Sequence, residues 1–118
     1  MLVKSSKTEE QESETEILQE KLQTIKEQEG IIGYILRNSK SASIDLKDPT
    51  KIIDYAVLSS TALDTGDDMT ETLQLGEVDT IVLETEETKL LSMKTNENSV
   101  SIFMEKTVDH NKLSKSLK

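Results

Sequence analysis

Apolar residues along this 118-residue chain keep two different rhythms, and the changes between them mark out the elements. Residues 9–29 are rich in Glu, Gln, Lys and Leu, which favour helix. Leu18, Leu22 and Ile25 fall at i, i+4 and i+7, with Ile17 beside them, so this helix carries one apolar stripe. Gly30 stands where a left-handed residue ends a helix. The segment IIGYILR then reads as a strand with apolar side chains on both faces, so both faces are covered. Gly33 inside it costs stability and marks a close approach, read here as a helix crossing the sheet. NSKS is a polar turn and ASIDL a second strand, which makes a hairpin.

Asp48 and Pro49, the only proline, suit the N-cap and first position of a second helix. That helix runs to about Thr72, with Ile52, Ile53, Ala56, Val57, Ala62 and Leu63 as its stripe and Met69 and Leu73 continuing it. Gly66 offers an earlier stop. Beyond Leu75 and Gly76 the period becomes two, with strands over 78–84, 88–94 and 99–105 and short turns between them. A short last helix over 107–118 has Asp109 as its cap and Leu113 and Leu117 one turn apart. The order is α-β-β-α-β-β-β-α. It predicts one α+β domain over residues 9–118, a five-stranded antiparallel sheet with helices on both faces. Residues 1–8 read as a disordered polar tail.

Composition narrows the function. Hydrophobic residues are 34% and aromatics 3%, so the core is small and aliphatic. The net charge is −9, and no basic residue lies between Lys51 and Lys89. Such a field repels nucleic acid and anionic lipid; it suits solubility or a basic protein partner. There is no Cys, no secretory leader after Met1 and no apolar run of membrane-spanning length, so the sequence reads as cytoplasmic, with no direct membrane insertion.

No catalytic constellation survives inspection. His110 is the only histidine and sits in a polar stretch beside Asp109. GIIG lacks the rest of a phosphate loop. The carboxylates Asp64, Asp67, Asp68 and Glu71 do not have the spacing of a calcium loop. No cofactor or metal is expected, and no enzyme activity. Ser59, Ala62 and Gly66 are small residues three and four apart. They allow either a second helix to approach or close packing on the chain's own sheet.

The pattern resembles the roadblock domain, found in roadblock dynein light chains and in regulators of Ras-like GTPases. LQTIKEQEGIIGYILRN, the helix opening at Asp48–Pro49, and LQLGEVDTIVLETEETKLLSMKTNENSVSIFME carry the resemblance, over roughly residues 17–117. The family's usual glycines are missing from the first hairpin turn, where Ser41 stands, and from the turn within ETEET. The resemblance implies that Gly33 is the family's glycine under a crossing helix. It implies dimerisation through the second helix and third strand, joining two sheets into one of ten strands. Ala56, Ser59, Ala62, Leu63, Gly66, Ile81 and Leu83 would form that interface. It implies a non-enzymatic scaffold, a homodimer that regulates a small Ras-like GTPase. The alternative is a light-chain-type subunit of a larger motor or membrane-tethered complex, pairing with another roadblock protein. The acidic run suggests Asp64, Asp67, Asp68 and Glu71 as partner contacts.

Overall fold

A computed structural model describes residues 6–73 and 79–117, with only the backbone described at residues 6–13 and Leu63. Helix α1 spans Ser6–Lys26, strand β1 Ile31–Arg37 and β2 Ala42–Leu46. A 3-10 turn at Pro49–Lys51 leads into α2, Ile52–Thr72. Strands β3 (Thr80–Glu84), β4 (Thr88–Thr95) and β5 (Asn98–Glu105) follow, then α3, His110–Leu117. The described strands form one antiparallel sheet in the order β2-β1-β5-β4-β3. Element order and class are those the sequence predicts. Residues 6–8, expected in the tail, are helical, since adding residues to an existing helix avoids the cost of a new nucleus. Leu75, Gly76 and Val78 lie outside the described residues.

Two cores sandwich the sheet. Leu18, Leu22 and Ile25 of α1 and Leu113 and Leu117 of α3 cover one face, over Tyr34, Leu36, Leu91, Met93, Val100, Ile102 and Met104. On the other face α2 covers a smaller cluster of Ile35, Leu46, Ala62, Leu90 and Phe103. The ring of Tyr55 lies 4.4 Å from that of Phe103.

Strand β1 contributes to both cores, and one irregularity sets which core its first residues join. Ile31 faces Met104 of β5, but Gly33 faces Phe103, so β1 carries one extra residue. This bulge places Ile31 and Tyr34, three apart, on the α1 face, and Ile32 and Ile35 on the α2 face. Gly33 sits at the bulge, and the close approach there comes from β2, not from a helix. A Cβ at Gly33 would stand 2.5 Å from Asp45 O and 2.7 Å from Leu46 Cα. The reading of Gly33 as lying under a crossing helix is therefore corrected: a strand pinched against its neighbour needs the same absent side chain.

Turns are closed by side chains where glycine was expected. Asn38 Oδ1 accepts from the backbone N–H of Lys40 at 2.8 Å and of Ser41 at 2.9 Å. Thr85 Oγ1 accepts from Thr88 N at 3.1 Å. Among the described non-glycine residues only Asn96, in the β4–β5 turn, has a left-handed backbone, with φ 52. After Lys26 the chain tightens into i→i−3 turns, Gln28 N donating to Ile25 O at 3.0 Å, before Gly30 reverses it with φ 86.

Helix α3 is anchored by more than its leucines. Lys89 is 6% exposed. Its ammonium donates to the carbonyl of Val108 and to His110 Nδ1, the latter at 3.0 Å. His110, read from sequence as an ordinary surface residue, therefore helps satisfy a buried charge. Asp109 Oδ1 accepts from Asn111 N at 3.0 Å and caps the helix as expected. On the α1 side, Gln19 Nε2 donates to the hydroxyl of buried Tyr34 at 2.8 Å. Burial, and then the charge of Asp45, hold the Tyr34 phenol above its ordinary pKa.

The geometry at Gly33 makes a sharp expectation. Gly33→Ala drives a methyl into backbone that has no flexible end to give, and costs about 3 kcal/mol in urea unfolding. Gly30→Ala meets a side-chain methyl of Val108 rather than backbone, at a strained φ, and costs about 1–2 kcal/mol. Equal losses in the two variants would show that the β1–β2 approach is not the tighter constraint.

Candidate docking surface

Helix α2 is the element whose surface is least explained by the chain's own core. Its start is local chemistry. Asp48 Oδ1 accepts from Thr50 Oγ1 and, at 3.1 Å, from Thr50 N, and Pro49 follows at the first helical position. The Thr50 hydroxyl and then its N–H hold the Asp48 carboxyl below its ordinary pKa.

The helix meets the sheet through a seam that is largely polar. Ser59 and the cross-strand pair Ser92 and Ser101 are all buried. The Ser101 hydroxyl bonds both Ser59 and Ser92, the latter at 2.8 Å. Arg37 Nη1 donates to Ser60 Oγ at 2.6 Å. Lys94 Nζ is 2.7 Å from Asp67 Oδ2. Ala62 is buried beside this seam, with Ile52, Tyr55 and Ala56 packed alongside.

This arrangement decides the direction of the small residues. Ser59 and Ala62, expected at a helix–helix interface, face the chain's own sheet, and Ala56 and Gly66 are half-buried. Small side chains let α2 sit low enough for Ser59 to reach Ser101. The side chain of Leu63 is outside what is described. The expected apolar stripe also divides. Ile52, Ala56 and Ala62 turn inward, whereas Ile53 is 77% exposed, Val57 61%, Met69 61% and Leu73 62%.

Those outward residues form a ridge, where the sequence was read as one continuous apolar stripe. Ile53, Val57, Thr61, Thr65, Met69 and Leu73 follow one another at i+4, and none is charged. A row of this spacing is the ridge that helices interdigitate when they pack. The signal was present in the sequence, since two neighbouring i+4 rows of α2 are both poor in charge. Leu58 adds to the exposed apolar surface.

Strand β3 completes the surface. It forms one free edge of the sheet among the described strands. Leu83 on it is 41% exposed and Ile81 half-buried, both on the α2 face. The carboxylates separate into two kinds. Asp67 is bound to Lys94, whereas Asp64, Asp68 and Glu71 are exposed and share one side of the helix at i, i+4 and i+7. Among the described residues no group of three His, Cys, Asp or Glu is placed to hold a metal ion. No described helix is long and apolar enough to cross a membrane.

No protein-family model matches the sequence, and no curated protein matches it. Solved structures do match in fold. A roadblock/LC7 domain from Streptomyces avermitilis superposes with a TM-score of 0.66 at 16% identity, over 84% of this chain and 83% of that one. The gliding protein MglB from Thermus thermophilus gives 0.65 at 15% identity, over 86% and 81%. MglB from Myxococcus xanthus gives 0.61 at 7% identity, over 99% and 89%. The fold is that of a roadblock domain.

The serine seam yields a graded expectation for unfolding in urea. Ser59→Ala leaves the Ser92–Ser101 bond intact and costs about 1 kcal/mol. Ser101→Ala strands two buried hydroxyls at once and costs about 3 kcal/mol. A reversed order would mean that Ser101 does not bridge the helix to the sheet.

Proposed function

We propose that this chain is a non-enzymatic scaffold that forms a homodimer through α2 and β3 and regulates a small Ras-like GTPase. The observation that carries the reading is the charge-free ridge of α2, exposed beside a free β3 edge on a roadblock fold. Apolar ridges of this extent are rarely left in water by a monomer. Free edges are rarely left unprotected. A second copy covers both at once by a two-fold operation. In that dimer Ile53, Val57, Met69 and Leu83 meet, and Ser59 and Ala62 act from beneath by fixing the height of α2.

The choice of a GTPase rests on the resemblance to the roadblock family, and the MglB structures are further support for that class of relative. The exposed row of Asp64, Asp68 and Glu71 favours a partner with a basic surface. With Asp67 held by Lys94, the row of three carries the attraction. A scaffold of this kind acts by binding one conformational state of its partner better than the other.

Sedimentation equilibrium tests the dimer directly. The expected mass is twice the 13.2 kDa of one chain. Val57→Arg buries an unpaired charge in the interface and weakens the dimer about tenfold or more. A single-chain mass for the unaltered protein, or an unchanged dimer in the variant, refutes the assigned surface.

The partner is tested by recovering proteins bound to the tagged chain and identifying them by mass spectrometry. A small GTPase is expected among them. Asp64→Asn, Asp68→Asn and Glu71→Gln together slow its association about tenfold at low salt, and the difference shrinks as salt rises. Equal rates and equal salt dependence would leave these carboxylates with solubility alone.

A further inference from the structure

The opposite edge of the sheet, β2, lies apart from the surface proposed above for pairing. We infer that β2, with the groove between it and α1, binds an extended peptide whose residues alternate between cationic and apolar.

The hydrogen-bond pattern fixes which backbone groups are open. Asn38 N donates to Ser41 O at 2.9 Å, and Lys47 N donates to Ile32 O at 3.0 Å. Between these points the antiparallel register pairs Arg37 with Ala42, Leu36 with Ser43, Ile35 with Ile44 and Tyr34 with Asp45. Alternation therefore turns the N–H and C=O of Ser43 and Asp45 toward β1, and those of Ala42, Ile44 and Leu46 outward. No described strand pairs with that edge. Its outward row holds no lysine or proline, and no bulge interrupts β2.

The side chains then define the ligand. Ser43 lies on the α1 face and Ile44 on the α2 face. Beside Ser41 and Ser43 a groove of about 350 Å³ opens against Thr15, Glu16, Gln19 and Glu20 of α1, with Leu36 among its lining. Two carboxylates line this groove, and no cation does. At its far end α1 is clamped to β2 by the ion pair of Lys26 with Asp45, which leaves the stretch near Ser41–Ser43 as the open part. A strand added to β2 places every second side chain in the groove, where Lys or Arg meets Glu16 and Glu20. The intervening side chains fall beside half-buried Ile44, where apolar groups fit. Main-chain bonds to Ala42 and Ile44 supply the register, and the groove supplies the preference for cations.

The test uses a blocked, fluorescently labelled peptide of three Arg-Val repeats and the full chain. Saturable binding is expected, with amide exchange slowed at Ala42 and Ile44. Glu16→Lys with Glu20→Lys weakens binding about tenfold. Ala42→Pro removes an outward donor that β1 does not use, and abolishes the added protection. If Ala42→Pro does not fold, the glutamate variant alone decides. A peptide of Glu-Val repeats should not bind. The inference is overturned if the Arg-Val peptide fails to bind or the Glu-Val peptide binds equally. Unchanged affinity in the glutamate variant, or protection confined to Thr80–Glu84, also overturns it. So do Ala42 and Ile44 amides already protected in the free protein, which would mean that copies of this chain pair through β2.

Discussion

At Gly33 the backbones of β1 and β2 come so close that a methyl group has no room, and the same residue ends the register shift that assigns Ile31 and Ile32 to their cores. The bulge at Ile32–Gly33 shifts the alternation by one residue partway along β1, and so decides which core each isoleucine before it joins. Ile31 joins Tyr34 under α1 and α3, and Ile32 joins Ile35 under α2. With unbroken alternation Ile32 would take the place opposite Met104 under α1, and Ile31 would turn to the α2 face. The left-handed turn at Gly30 belongs to the same device, since the carbonyl of Gly30 accepts from Glu105 N at 2.7 Å and anchors the start of β1 on β5.

The two faces of the sheet are held by different forces. The α1–α3 face is a largely aliphatic core around Tyr34, with each fully buried Leu or Ile worth about 1.5–3 kcal/mol. The α2 face has Ala62, a few half-buried apolar groups and a polar seam built on Ser59, Ser101, Arg37 and Lys94. Hydrogen bonds in such a seam fix geometry more than they stabilise, because each replaces a bond to water. The helix is thus positioned accurately while Ile53, Val57, Leu58 and Met69 point outward. Met69 and Leu73 in solvent make little sense for an isolated chain and ordinary sense for half of an interface.

Much of this architecture was legible because its signals are local. Asp48–Pro49, Asp109 and the alternation of Val100, Ile102 and Met104 each specify an element within a few residues. The candidate surface was less legible, and α2 shows why. Its two apolar rows are adjacent and similar in hydrophobicity, so periodicity alone does not choose which turns inward. The choice is made by Ser59 reaching Ser101, a contact 42 residues apart, and by Tyr55 reaching Phe103. Gly33 announced a close approach, but only the fold shows that a strand makes it. The turns without glycine were also decided beyond residue type, by the oxygens of Asn38 and Thr85.

Charge constrains how two copies of so acidic a surface can meet. On β3 the hydrogen bonds from Lys94 N to Asp79 O and from Thr85 N to Thr88 O turn the backbone of Thr80, Val82 and Glu84 outward. A two-fold pairing centred on Val82 sets Glu84 opposite Thr80 of the second copy, so no like charges face each other across the new ladder. Along α2 the exposed acids Asp64 and Asp68 lie to one side of the ridge and Asp54 to the other, and Asp67 is already neutralised by Lys94. The surface is therefore self-compatible at its centre and anionic at its margin. Such an arrangement lets apolar contact drive the pairing of copies, while the combined field of both margins remains free to select a basic third molecule.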